Sequence, residues 1–249
     1  MSLLSGIIYD YVAPYSFFTA ALLFLSSYIY FENKKFKWIG FAILYLISVL
    51  LALHLFPGFH NYNIIKNIQL TDNSMNYSLY LNFDKAMAGF IILTFQKDLI
   101  NSFSQLIKVF KKTAVYGLIT ITTVLALSYI TGYIEFAPKL PWFIGYFILA
   151  NLFFTCITEE LFFRKLIQDN IKKVFFTNRY SASIAIFISG LIFGSFHIAG
   201  GMNYFFLAAV SGSFYSLIYE SSSKIESSIM IHFILNLTHI LLFSYPGLK

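Results

Sequence analysis

Six residues stand out in this 249-residue sequence because they are charged or strongly polar inside apolar stretches: Glu159, Glu160, Arg164, His197, His232 and Asn236. A charge near the middle of a bilayer costs at least about 2.5–3.5 kcal/mol, so each one needs a reason. In the segment TEELFFR, Glu160 and Arg164 are four apart, share a helix face and can pair. Glu159 is turned about 100° away. Its own neighbour one turn on is Phe163, so it must find a partner elsewhere. A carboxylate left without a cation in a low dielectric holds its proton more tightly, which suits a general base. A helix end at the membrane surface would carry the same Glu and Arg with no chemistry at all. In FGSFH, His197 closes an apolar run, and alone it reads as a hydrogen-bonded packing residue; Gly190 and Gly194 allow a neighbouring helix to come close. In HFILN, His232 and Asn236 share one face and His239 continues it, which alone reads as a helix–helix hydrogen bond.

The conjunction says more than its parts. A carboxylate, two histidines and an asparagine on three apolar segments supply a base, a proton shuttle and an oxyanion hole. Glu159 would take a proton from water and His197 would hold or share it. His232 and Asn236 would donate to a tetrahedral oxyanion. That chemistry is peptide-bond hydrolysis inside a membrane. The ordered pattern Glu159-Glu160-x-x-x-Arg164, Phe193-x-x-x-His197, His232-x-x-x-Asn236 resembles the CAAX protease and bacteriocin-processing family of intramembrane endopeptidases, from about Thr155 to His239. The resemblance implies that Glu159 with His197 activates water, that His232 and Asn236 form the oxyanion hole, and that Glu160 and Arg164 support them. One departure is Lys165, where family members often carry Gly. The resemblance also implies a membrane-anchored or lipidated protein or peptide as substrate. In bacterial relatives the roles extend to peptide maturation, bacteriocin immunity and scaffolding.

Other chemistries fit less well. Glu159, His197 and His232 would make a two-His, one-carboxylate zinc site with an open position. However, HExxH is absent, and Asn236 beside His232 suits an oxyanion donor, so the expectation is metal-free catalysis with no cofactor and zinc as the alternative. Ala209-Val210-Ser211-Gly212 lacks the first Gly of a GxSG loop, GxGD is absent, and all five Asp lie outside the strongest apolar cores. Cys156, the single cysteine, sits one turn before the glutamates and reads as a small apolar residue. A catalytically silent scaffold or a transporter would use the same polar cluster. A transporter would be expected to show paired halves or interrupted helices, and the sequence shows no such symmetry.

The elements that must hold these residues follow from composition. The chain is 58% hydrophobic and only 11% charged, against roughly 25% charged residues in a soluble domain. That excludes a soluble enzyme, and the net charge of +6 is read as membrane orientation rather than nucleic-acid binding. The expected class is an all-α polytopic membrane protein forming a single integral membrane domain over residues 1–249. Apolar runs fall at Tyr11–Phe31, Trp38–Phe56, Ala114–Ile134, Trp142–Phe163, Ser181–Ile198, Tyr204–Tyr219 and Ile229–Tyr245, with Ala86–Phe95 too short to be a firm span. About eight transmembrane helices result. The clusters Lys34–Lys37, Lys108–Lys112 and Lys165–Arg179 then share the cytoplasmic side, with both termini outside. Residues 57–84 form an extramembrane loop whose alternation about Asp72-Asn73 predicts a β-hairpin between the second and third spans. Residues 101–112 read as an interfacial helix. The N-terminus carries no signal-peptide pattern, and the Phe-, Ile-, Lys- and Asn-rich usage suggests a bacterial plasma (inner) membrane. One tension remains: Glu159, His197 and His232 can meet only if the helix of His197 starts beyond the bilayer or the helix of Glu159 runs well past Arg164.

Overall fold

In the computed structural model, which describes residues 3–175 and 178–249, the apolar runs become helices in the expected order. A short helix α1 (Leu3–Ile8) precedes α2 (Ser16–Glu32) and α3 (Lys37–Ala52). Strands β1 (Tyr62–Gln69) and β2 (Asn76–Leu81) come next, then α4 (Phe83–Thr94) and α5 (Phe103–Ile130). The C-terminal half holds α6 (Ile144–Val174), α7 (Ser181–Ser195), α8 (Met202–Ser222) and α9 (Ile225–Leu242). Among the described residues, α5, α6 and α9 are long and apolar enough to cross a membrane, and α2, α3 and α7 are shorter apolar helices. The chain is an integral membrane protein of mostly helical fold.

Two boundaries differ from the sequence expectation, and both come from helices that continue. Residues 101–112 are not a separate interfacial helix. Ser102 Oγ accepts from Gln105 N at 3.3 Å, and no proline interrupts α5 from Phe103 to Ile130. Its 28 residues span about 42 Å, more than the roughly 30 Å of hydrocarbon a crossing needs. Likewise α6 does not stop near Phe163 but runs on to Val174. With that extension Glu159 lies near the middle of a 31-residue helix, and it lines one cavity with His197 and His232.

Close packing of α7 on α8 depends on the glycine pair. A Cβ on Gly194 would lie 2.7 Å from the Phe205 carbonyl oxygen and 2.8 Å from the Ala209 Cβ. The hairpin forms where the alternation places it, antiparallel with Tyr62 opposite Leu81 and Gln69 opposite Asn76. Its apolar face, Ile65 and Leu79, seats on Phe143, Phe147 and Ala150 of the α6 region and Ile240 of α9. The hairpin therefore sits on the end of the bundle reached by α3, opposite the Lys34–Lys37 turn.

Candidate active site

Helix α6 carries two π-helical stretches, Asn151–Cys156 and Leu161–Gln168, on either side of a single α turn holding Glu159 and Glu160. Such bulges are rare and concentrate at functional sites. Here the wider winding puts Asn151 and Cys156, five apart, on one face: the Cys156 thiol donates to Asn151 Oδ1 at 3.2 Å. Asn236 of α9 joins them, its Nδ2 donating to Asn151 Oδ1 at 3.3 Å and lying 3.8 Å from Cys156 Sγ. The amide of Asn236 is thereby held in one orientation.

Glu160 is fully buried and fixed from two sides. Arg164 Nε donates to its Oε2 at 3.0 Å, and His232 Nδ1 lies 3.0 Å from its Oε1. Arg164, equally buried, also donates to Ser189 Oγ and the Gly212 carbonyl, each at 3.1 Å, and to Ser216 Oγ. One ion pair thus ties α6, α7 and α8 together and passes its order to α9. The His232 ring stacks on Tyr215 with centroids 4.6 Å apart. Because a carboxylate only accepts, His232 Nδ1 is the donor in that bond and Nε2 is left for other work.

Glu159 faces differently. Its partner is Lys85 of α4, whose Nζ lies 3.1 Å from Oε1. The expectation that Glu159 lacks a local cation is thereby corrected: the cation comes from the short helix that was the doubtful span, 74 residues away. Lys85 is itself located by its buried neighbour Asp84, which accepts from Asn61 Nδ2 at 3.0 Å and from His54 Nδ1 at 2.6 Å. His197 lies just beyond the end of α7. Its Nδ1–H donates to the Phe193 carbonyl at 2.8 Å, so in the neutral imidazole the lone pair is on Nε2. Phe193 stacks on the ring at 4.6 Å and Tyr204 meets it edge-on at 5.2 Å.

Glu159, His197, His232 and Asn236 all line one cavity of about 300 Å³, together with Asn151, Tyr204, His239 and residues of β2. A second cavity of about 160 Å³, between α3, α4 and α6, also reaches Glu159 and His197 and is walled by Lys85, Ala88 and Phe162. Those two side chains therefore stand in the partition between a polar chamber and an apolar one. Glu160 and Arg164 line neither. Burial raises the pKa of the Tyr77 phenol at the chamber's hairpin end, so it stays neutral there.

The remaining candidates are accounted for. His239 Nε2 lies 3.1 Å from the Ser244 carbonyl. Ser211 Oγ donates back to Leu207 O at 2.8 Å, and Cys156 is buried outside the chamber. Lys165, the departure from the family pattern, reaches across to Tyr219 Oη at 2.8 Å. Among the described residues no group of three or more His, Cys, Asp and Glu gathers closely enough to hold a metal ion.

The residues of the three motifs fall within one recognisable stretch. Residues 141–238 match the family model described as Type II CAAX prenyl endopeptidase Rce1-like. The resemblance read from the three motifs is borne out by that match, and every motif residue lies inside it. The Rce1-like segment covers α6 to most of α9, about two-fifths of the chain. Lys85, α4 and the hairpin lie outside it. No curated protein and no solved structure matches the chain. Sequence reading missed Lys85, Asn151, Tyr204 and Tyr215. A lysine heading the short apolar run 86–95 was a signal for the first, and the others carry none.

Proposed function

We propose that this protein is an intramembrane endopeptidase that hydrolyses a peptide bond of a membrane-anchored or lipidated protein or peptide. The observation that carries this reading is the convergence of Glu159, His197, His232 and Asn236 from α6, α7 and α9 on one chamber, within a segment matching a peptidase family. Water between Glu159 and His197 attacks the scissile carbonyl carbon. Its proton passes to Glu159 or Nε2 of His197 and then to the leaving amine as the C–N bond breaks. Asn236, and His232 through Nε2–H when the imidazole is charged, donate to the oxyanion. Glu160 and Arg164 support the wall rather than react. No step is routed through a metal.

The apolar chamber behind Glu159 and His197 suits the hydrophobic part of such a substrate. In this reading the eight helices α2 to α9 cross a bacterial plasma membrane, and the catalytic chamber opens on the hairpin side, away from the lysine clusters. The test uses the purified protein in liposomes with a library of membrane-anchored and prenylated peptides, products being read by mass spectrometry with and without a strong chelator. Cleavage by the wild type, unaffected by chelator and absent in Glu159→Ala, is expected. Loss of cleavage with chelator would restore zinc, and the absence of any cleavage would remove the peptidase reading.

A further inference from the structure

A peptide bond can be attacked only where its carbonyl is exposed, so a substrate segment must be unwound at the site, because a helix commits each carbonyl to the amide four residues on. Unwound backbone in an apolar setting leaves N–H and C=O groups that need partners. The chamber offers a row of such partners. Four consecutive residues of β2, Tyr77 to Tyr80, line the same cavity as Glu159 and His197. Alternate side chains of a strand point to opposite faces, so a wall made of four in succession meets the strand along its edge rather than on one face.

One edge of β2 is occupied by β1. On the other edge, backbone pairing among the described residues is confined to the turn. There the Met75 amide donates to the Gly247 carbonyl at 2.8 Å, Ser74 and Leu248 form an antiparallel bridge, and the Lys249 amide donates to the Asn73 carbonyl at 3.0 Å. This pairing involves turn residues 73–75 only and stops at Pro246, which has no amide hydrogen to continue it. Beyond that point, among the described residues, the backbone of Tyr77–Tyr80 makes no hydrogen bond outside the hairpin.

We propose that the free edge of β2, Tyr77 to Tyr80, binds the substrate by strand addition: the extended segment that carries the scissile bond pairs along that edge, next to the place where Gly247–Lys249 pair with the turn, and leads into the chamber. This inference rests on the peptidase reading and adds to it the place and conformation of the bound peptide. Main-chain pairing of this kind supplies affinity without demanding a particular sequence, and the alternating side chains of the added strand select among substrates.

The test uses the full-length protein in liposomes and a farnesylated peptide ending in a CAAX sequence. Wild-type cleavage of that peptide, read by mass spectrometry, reports on the peptidase reading alone. Hydrogen exchange of the Tyr77–Tyr80 amides is then followed in Glu159→Gln with and without the peptide, and with peptides N-methylated at one backbone amide at a time. Strand addition is expected to slow exchange at Tyr77–Tyr80 on the order of tenfold. Methylation is expected to abolish that slowing, and wild-type cleavage, at every second position near the cut, because only alternate amides of a strand face its partner. Cleavage with unchanged exchange and no alternation would overturn the proposal and leave the peptidase reading standing. Neither cleavage nor slowing of exchange would overturn both.

Discussion

Glu159 and Glu160 are adjacent in sequence, and the structure puts them in opposite kinds of surroundings. Glu160 is sealed, with both oxygens engaged, one by Arg164 and the other by His232. Glu159 stands at the boundary of two cavities, held by a single ammonium through one oxygen. The contrast separates positioning from reacting. A carboxylate with both oxygens engaged and sealed from the chamber orders its neighbours, whereas one that keeps an oxygen toward a chamber can receive a proton. The difference arises from a rotation of about 100° along one helix turn, which directs Glu160 toward α7 to α9 and Glu159 toward α4.

The comparison can be broken first on the sealed side. Arg164→Met removes the cation from Glu160 and leaves a buried carboxylate uncompensated, at a cost of about 3–5 kcal/mol. Thermal unfolding in detergent is expected to move sharply downward. Arg164→Met with Glu160→Gln should recover part of that loss, because the orphaned charge is gone. If Asn236 donates to the oxyanion as proposed, Asn236→Ala should lower kcat by about 10²–10³-fold with little change in unfolding temperature. A parallel fall in stability would instead make Asn236 a packing residue of the Asn151–Cys156 cluster.

A smaller effect sharpens the role of Lys85. If its ammonium holds Glu159 in place, Lys85→Met should reduce kcat about tenfold, in keeping with a charge-assisted hydrogen bond worth about 1.5–3 kcal/mol. Lys85→Arg should restore most of it. Equal loss in both variants would indicate that the shape of the lysine stem, rather than its charge, matters in the apolar chamber.

Much of this arrangement is legible in the sequence because it is local. The Glu160–Arg164 pair, the shared face of His232 and Asn236, the close-packing glycines of α7 and the hairpin about Asp72-Asn73 all follow from periodicities of 3.6 or 2 residues. What could not be read is non-local or departs from those periods. Lys85 meets Glu159 across 74 residues, from a helix of only 12 residues that hydropathy alone leaves ambiguous. Asn151 reaches Asn236 through a π-helical stretch, and a 3.6-residue reading puts it on a different face from Cys156. The ends of α5 and α6 were misplaced for a related reason: charged residues end an apolar run without ending the helix beneath it.

The most direct test of the account is to compare cleavage of one lipidated peptide by the wild type and by Glu159→Gln in liposomes, with peptide binding measured in parallel. Gln keeps the size of the side chain and its contact with the chamber but cannot accept a proton from water. The account predicts that binding is retained while the cleavage rate falls by about 10²–10⁴-fold. Cleavage at the wild-type rate by Glu159→Gln would contradict it, and the base would have to be sought elsewhere in the chamber.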